Sequence, residues 1–354
     1  MRTISIVQLG FGGVGRALAK QVVGLREWHR GRYGVELRYV ALCDSNGAIV
    51  DSKGIPDDIV LEAVERKKAG EGLKDLPYGY LQSDASAVVD VAGTDDTVVV
   101  DVSASEETLP ALLLAVNRGY GVVTANKKPL AGDMGSYRKL KSARFLRYES
   151  TVGSGLPVIT TLHRLLRSGD RIFRIEGALS GTLGYLMTQI QKGERFSNAV
   201  REAYRLGFTE PDPRDDLGGV DVARKALILA RDMGYELSME DIALEPLYPS
   251  NFNKLSVAEF LDAIEALDGT FEEKVQEARA GNQVLRFAAF VNPEGVRVGL
   301  QSVPDGSPLG RLQGNDNLIS FYTSCYDRTP LVIQGRGAGV EATASGVLAD
   351  IMEF

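Results

Sequence analysis

Apolar residues in this chain cluster into short β-branched runs, and over the first 150 positions those runs are separated by segments of helical period. "TISIVQLG", "ELRYVALCD", "TVVVDVS", "YGVVTAN" and "FLRYES" read as strands, with one helix from Val14 and another through "TLPALLLAVNRG". Strands that alternate with helices predict a parallel sheet covered on both faces. From residue 151 the rhythm changes. "RIFRIEGAL" is one strand, consecutive helices follow, and then "VLRFAAFV", "VRVGLQSV" and "LISFYTSCY" succeed one another without helices between them. That succession predicts an antiparallel or mixed sheet. Capping boxes at Ser256–Glu259 and Thr270–Glu273 mark two helix starts, and Gly281 stands where a helix would end. The tail, "LVIQGRGAGVEATASGVLADIM", reads as a short strand, a glycine turn and an Ala-rich helix that returns to pack on the first domain.

The pattern gives an α/β fold: a doubly wound parallel sheet over 1–150, an α+β domain with a mixed or antiparallel sheet over 151–330, and a returning segment over 331–354. A chain of 354 residues exceeds what one core usually serves. The net charge of −7 argues against a partner built on a nucleic-acid backbone, which requires a positive face. Two cysteines, Cys43 and Cys325, offer neither a disulfide framework nor metal-type spacing, which fits a reducing cytoplasm. No apolar run reaches the ~18 residues of a membrane span, and the N-terminus carries no signal-type apolar core, so a soluble, unexported chain is expected.

"VQLGFGGVG" places Gly10, Gly12 and Gly15 in G-x-G-x-x-G spacing after the first strand and at the opening of the first helix. In that context the first glycine permits a tight turn, the second lets backbone approach a pyrophosphate, and the third lets helix and strand pack. The motif makes the parallel sheet Rossmann-type, with Phe11, Gly13 and Val14 completing the candidate cofactor loop. A glycine turn with no ligand is the plainer alternative. Asp44, at the end of the second strand, lies later than the usual ~20 residues after the glycines, and the segment "REWHRGRYGVE" accounts for the delay. A carboxylate there accepts from a ribose 2′-OH and favours NAD over NADP; a solvated strand end is the alternative. Ser103 of "DVSAS" and Lys127 of "VVTANKKPL" follow two further strands, where loops meet ligands.

"YESTVGSGLP" joins a strand-end Glu149 to a glycine turn and a helix-starting proline, and reads equally as a rigid connection or as a cation held by Glu149 and carbonyls. In "EGALSGTLGYL", Ser180 or Thr182 caps the following helix, which is compatible with a substrate contact. "EPDPRDDLGGVDVARK", 210–225, links two helices. Asp221 and Lys225 lie four apart on one helical face, which an ordinary surface pair would also satisfy. Pro211 and Pro213 stiffen this loop and Gly218-Gly219 bends it, which suits a concave acidic site with one lysine. Such a site fits a small cationic or zwitterionic substrate, the lysine meeting an oxygen that gains charge.

Taken in order, "GFGGVG", "VTANKK", "ESTVGSGLP", "EGALSGTLGYL", "GFTEPDPRDDLGGVDVARK" and "QGRGAGVEATASGVLADI" resemble homoserine dehydrogenase across nearly the whole chain. The resemblance implies reduction of L-aspartate 4-semialdehyde to L-homoserine with NAD(P)H, by a homodimer of a short monofunctional form. It implies Lys225 as the acid/base lysine, Asp221 as its neighbour at the reacting oxygen, and Lys127 near cofactor and substrate. Glu210, Asp216, Gly181 and Thr182 would surround the substrate, and Gly339 would return to the cofactor. Glu149 with the carbonyls of Val152, Ser154 and Leu156 would hold a monovalent cation, sodium. Ser103 stands where relatives often have Thr. The rivals are another amino-acid pathway oxidoreductase of this architecture and a catalytically dead dinucleotide sensor; no nucleic-acid or membrane partner is expected.

Overall fold

The structure, a computed structural model, describes residues 1–354. The chain forms two compact units, Met1–Gly155 with Gly339–Phe354, and Leu156–Ala338. The first opens with β1 (Arg2–Leu9), α1 (Gly13–Gly24), α2 (Arg26–Tyr33), β2 (Val35–Cys43), β3 (Gly47–Val50), α3 (Asp57–Lys68), β4 (Tyr80–Leu81) and α4 (Ala85–Ala92). It continues through β5 (Thr97–Asp101), α5 (Leu109–Asn117), β6 (Gly121–Thr124), α6 (Lys128–Ala131), α7 (Met134–Lys141) and β7 (Leu146–Arg147). The strands align as β4-β3-β2-β1-β5-β6-β7. All pairings from β2 to β7 are parallel, as the alternation predicts. β3 and β4 extend one edge in antiparallel fashion and have no counterpart in the sequence pattern, being too short to show a period. β1 lies mid-sheet, and Ile4, Ile6, Val7 and even Gln8 are fully buried in it.

In the second unit, α8 (Val158–Arg167), β8 (Ile172–Ala178), α9 (Gly181–Gln191), α10 (Phe196–Arg205), α11 (Pro213–Leu217) and α12 (Val220–Asp232) come first. β9 (Ile242–Leu244), α13 (Val257–Ala263), α14 (Asp268–Ala280), β10 (Gln283–Asn292), β11 (Gly295–Pro304), α15 (Pro308–Arg311), β12 (Asn317–Thr323) and β13 (Leu331–Gly335) complete it. Its sheet runs β13-β12-β8-β10-β11-β9, antiparallel except where β9 joins β11. β13, read from sequence as part of the returning tail, instead pairs with β12. Of the two expected capping boxes only Ser256–Glu259 forms, with the Ser256 N–H donating to the Glu259 carboxylate at 2.8 Å. α14 already begins at Asp268, so Thr270 sits inside the helix and caps nothing. Beyond that helix the left-handed residue is Asn282, φ 53°, rather than Gly281.

The chain then returns to the first unit as α16 (Val340–Met352). Ala344, Val347, Leu348 and Ile351 of this helix are buried in one core with Ile4, Ile6, Leu18, Val22, Val98 and Val123. Burial of a Val, Leu or Ile side chain stabilises by about 1.5–3 kcal/mol, so Val347, Leu348 and Ile351 make α16 an integral layer of the unit.

Candidate active site

The first unit presents its glycine loop where β1 ends. Gly10 has φ 96°, and a Cβ there would stand 2.7 Å from the Ser103 nitrogen, so the backbone passes this point only as glycine. A Cβ on Gly15 would lie 2.2 Å from the Gly10 oxygen, whereas nothing lies within 4 Å of one built on Gly12. Gly12 is the N-cap of α1, whose first turn has no side-chain cap and no acidic residue. Unpaired N–H groups at the end of a twelve-residue helix, behind an open glycine, fit the pyrophosphate of a dinucleotide. The Phe11 side chain is core, so backbone is what it offers a ligand. Val14 is partly buried. Gly339, φ 133°, caps the start of α16, and the next residue, Val340, lies 3.3 Å from a Cβ on Gly13. The fold thus gathers Gly10, Gly12, Gly13, Ser103 and Gly339.

Asp44 departs from the sequence reading. Its Oδ1 accepts from the N–H groups of Asn46 (3.0 Å) and Gly47 (2.8 Å), and its Oδ2 from the Leu73 N–H (2.9 Å) and the Lys67 ammonium. Burial works to raise this carboxyl, but those bonds together hold it below the usual range. With its side chain only 6% exposed, Asp44 is a clamp between β2 and the 72–75 turn, its lone pairs already engaged. A buried network missed in the sequence lies under the next two strand ends. Asp101 accepts from the Ser103 N–H (2.9 Å), the Thr108 hydroxyl (2.7 Å) and the Asn126 amide (3.0 Å). Burial pushes its carboxyl upward against those bonds. Asn126 also donates to the Ser105 carbonyl at 2.7 Å, so the loops carrying Ser103 and Lys127 share one anchor. Lys127 itself is the N-cap of α6.

Glu149 is buried, and its N–H donates to the Asp350 carboxylate at 2.9 Å. Burial, then the nearby Glu149 charge, push the Asp350 carboxyl up to about 7. Ser154 takes a left-handed φ of 58° and its hydroxyl bonds that of Thr343 at 2.8 Å; Val152 is fully buried, and Leu156 opens the second unit. No three His, Cys, Asp or Glu side chains gather as metal ligands, so a cation in this turn would depend on carbonyls, a donor set suited to a hard ion.

In the second unit Lys225 lies on α12 with its side chain 12% exposed. Its ammonium donates to the Leu179 carbonyl at 2.7 Å, just past β8, and pairs with Asp221 at 2.8 Å. Gly181 starts α9, capped by Ser180, whose hydroxyl accepts from the Leu183 N–H at 3.3 Å. Thr182 donates to the Phe208 carbonyl at 2.6 Å and also lies against Asp216. Asp216 accepts from the Glu210 N–H at 2.7 Å. Burial raises its carboxyl, opposed by those bonds, and the charges of Glu210 and Asp221 add to the rise. Thr182, Glu210, Asp216, Asp221 and Lys225 therefore gather on one side of the unit. Arg214 is what sequence reasoning missed: it grips Asp212 through two nitrogens, at 2.8 and 2.6 Å, and donates to the Leu255 carbonyl at 2.6 Å. Neither histidine enters; His29 is buried on α2, and His163 lies 3.4 Å from Asp232.

The family model described as homoserine dehydrogenase matches residues 157–352, and that of the homoserine dehydrogenase NAD binding domain matches residues 10–145. The chain belongs to the homoserine dehydrogenase family. A homoserine dehydrogenase of Paracoccidioides brasiliensis is 41% identical over 81% of this chain and 79% of its own length. Bifunctional aspartokinase/homoserine dehydrogenases of Buchnera aphidicola and Haemophilus influenzae are 33% and 34% identical over 99% of this chain, which spans 43% of their length. Among solved structures, a Candida auris protein of unknown function matches with TM-score 0.87 and 31% identity, over 100% of this chain and 98% of that one. A hyperthermophilic archaeal homoserine dehydrogenase in complex with NADPH matches with TM-score 0.77 and 27% identity, over 99% and 97%. The family is one of NAD(P)-dependent oxidoreductases acting on a CH–OH group. No helix of this chain is long and apolar enough to cross a membrane.

Proposed function

We propose that this chain is a homoserine dehydrogenase, interconverting L-aspartate 4-semialdehyde and L-homoserine with NAD(P)H. The observation that carries the reading is the Lys225 ammonium, mostly buried and fixed between the Asp221 carboxylate and the Leu179 carbonyl. When bound, the coenzyme supplies or accepts the hydride. In the reducing direction the aldehyde carbon gains two electrons and one hydrogen, and its oxygen gains charge until a proton reaches it. Lys225 places positive charge and a transferable proton at that oxygen, and Asp221 keeps the ammonium aimed. Glu210 and Asp216 supply negative charge for the substrate ammonium, while Gly181 and Thr182 shape the floor beneath it. Gly10, Gly12, Gly13, Gly15, Ser103 and Gly339 form the coenzyme cradle, with Lys127 assigned to the coenzyme side.

A sodium ion at Glu149 and the carbonyls of Val152, Ser154 and Leu156 belongs to the same proposal. Its support is the buried Glu149 carboxylate at the start of a turn in which Val152 is fully buried and Ser154 takes a left-handed φ of 58°. A cytoplasmic homodimer is proposed too, supported by two unpaired cysteines and by Phe173 and Val332, large apolar side chains left exposed on strands β8 and β13 of the second sheet. Sedimentation at the mass of one chain would remove the dimer. The enzymatic reading is tested by following homoserine oxidation at 340 nm and alkaline pH with NAD⁺ and with NADP⁺. Lys225→Ala is expected to lower kcat by about 10²–10⁴-fold while NADH binding persists, and normal turnover in that variant refutes the assignment.

A further inference from the structure

We propose that Gln8, held by Tyr39, is a positioning residue that sets the glycine loop for coenzyme. The inference rests on the coenzyme reading of that loop, and concerns how the loop is kept in shape. A glutamine at the centre of a parallel sheet is out of place on propensity, and an amide without partners there costs several kcal/mol. Gln8 is nonetheless fully buried on β1, two residues before Gly10.

Its side chain is engaged at both ends. Nε2 donates to the Gly10 carbonyl at 3.0 Å and to the Gly15 carbonyl at 3.1 Å, which uses both amide protons. Oε1 accepts from the Tyr39 hydroxyl at 2.9 Å, across from β2. Tyr39 is fully buried, and burial raises its phenol above the usual range, so the hydroxyl stays a donor. Because Tyr39 donates, the amide carbonyl must face it and the NH₂ must face the loop. The tyrosine thus selects one of two amide orientations that would otherwise compete.

The two carbonyls that Gln8 ties down belong to the first and last glycines of the motif. Drawing both toward one NH₂ closes the loop on itself, in keeping with the 2.2 Å that would separate a Gly15 Cβ from the Gly10 oxygen. Fixing the Gly10 carbonyl also fixes the next N–H. In a planar trans peptide the C=O and N–H point in opposite directions, so turning the Gly10 oxygen toward Gln8 turns the Phe11 N–H away from it. Gln8 therefore removes acceptors from the loop and leaves donors facing outward, which is the polarity a pyrophosphate needs. No apolar residue of similar size reproduces this.

The experiment measures the Kd of NADH and NADPH by fluorescence titration in the 354-residue chain and in its Gln8→Met, Tyr39→Phe and double variants, with apoprotein melting curves alongside. Gln8→Met keeps the volume and removes both donors; it is expected to raise Kd about tenfold. The coenzyme KM should rise with it, while kcat at saturating coenzyme and the homoserine KM change less than twofold. Tyr39→Phe, a milder change that keeps the test open where Gln8→Met does not fold, should raise Kd about threefold. The double variant should bind no more weakly than Gln8→Met, because Tyr39 acts through Gln8. Unchanged Kd in both single variants, whatever the fall in melting temperature, overturns the proposal and reduces Gln8 to core packing. A wild-type protein that binds neither coenzyme removes the coenzyme reading and this proposal with it.

Discussion

The glycine loop after β1 and the acidic loop between α10 and α12 are both proposed to meet a charged ligand, yet they treat their own polar groups in opposite ways. In the glycine loop the inward bonds consume acceptors, the Gly10 and Gly15 carbonyls, and the helix start keeps its donors. In the acidic loop the inward bonds consume part of the charge itself. Asp212 is held by Arg214, and Asp216 accepts from the Glu210 N–H and lies against Thr182, while Glu210 and Asp215 stay exposed. Counting carboxylates in a motif thus overstates what a ligand can reach. A backbone motif suffers no such loss, because its function resides in local geometry.

The contrast is broken most severely at Gly15. Gly15→Ala puts a Cβ 2.2 Å from the Gly10 oxygen, so backbone must move, and NADH Kd is expected to rise by about two orders of magnitude with the homoserine KM little changed. Retained NADH affinity would show that closure of the loop does not matter. In the acidic loop the corresponding brace is Arg214. Arg214→Met frees Asp212 and abandons the carbonyl of Leu255, forty-one positions away. The homoserine KM should rise about tenfold and limited proteolysis should cut nearer 207–215, with NADH Kd unmoved. An unaltered KM would make the brace irrelevant to substrate.

The smallest effects, and the sharpest, concern sign. Asp216 has its carboxyl raised by burial, so the folded state holds the proton more tightly than the unfolded chain. Its contribution is present below the unfolded pKa and is lost as pH rises through the folded one. Asp216→Asn should therefore raise Tm by about 1–3 °C at pH 8 and by little below about pH 3.9. Asp212 is lowered, first by its bond from Arg214, so its contribution is present above the unfolded pKa and lost as pH falls through the folded one. Asp212→Asn should lower Tm at pH 8 and leave it unchanged in acid. Equal Tm changes at both pH values in either variant would remove the distinction between the two carboxylates.

How much was legible in the sequence follows the same division. The parallel sheet from β2 to β7, the mixed second sheet and the glycine loop are written in local period and spacing, and α16 announced its return through its small apolar residues. The short strands β3, β4 and β9 were not legible: two to four residues carry no period, and the stretches around these three do not read as strands as those around the equally short β6 and β7 do. Thr270 matched a cap motif that the earlier start of α14 pre-empted. In the site, Lys225 and Asp221 could be paired by helical spacing alone. The engagement of Asp44 could not, since two of its donors, Lys67 and Leu73, lie twenty-three and twenty-nine positions away. Gln8 passed as one more strand residue, although a polar side chain inside "TISIVQLG" was the available signal.

The first unit is made from two separate stretches of the chain, with Leu156–Ala338 inserted between them. A ribosome therefore finishes the inserted part while the layer that completes the first core, α16, is still untranslated or inside the exit tunnel. Until Ile351 emerges, the sheet bearing the dinucleotide loop has one flank uncovered, and nascent chains stalled short of that point present bare aliphatic surface to chaperones.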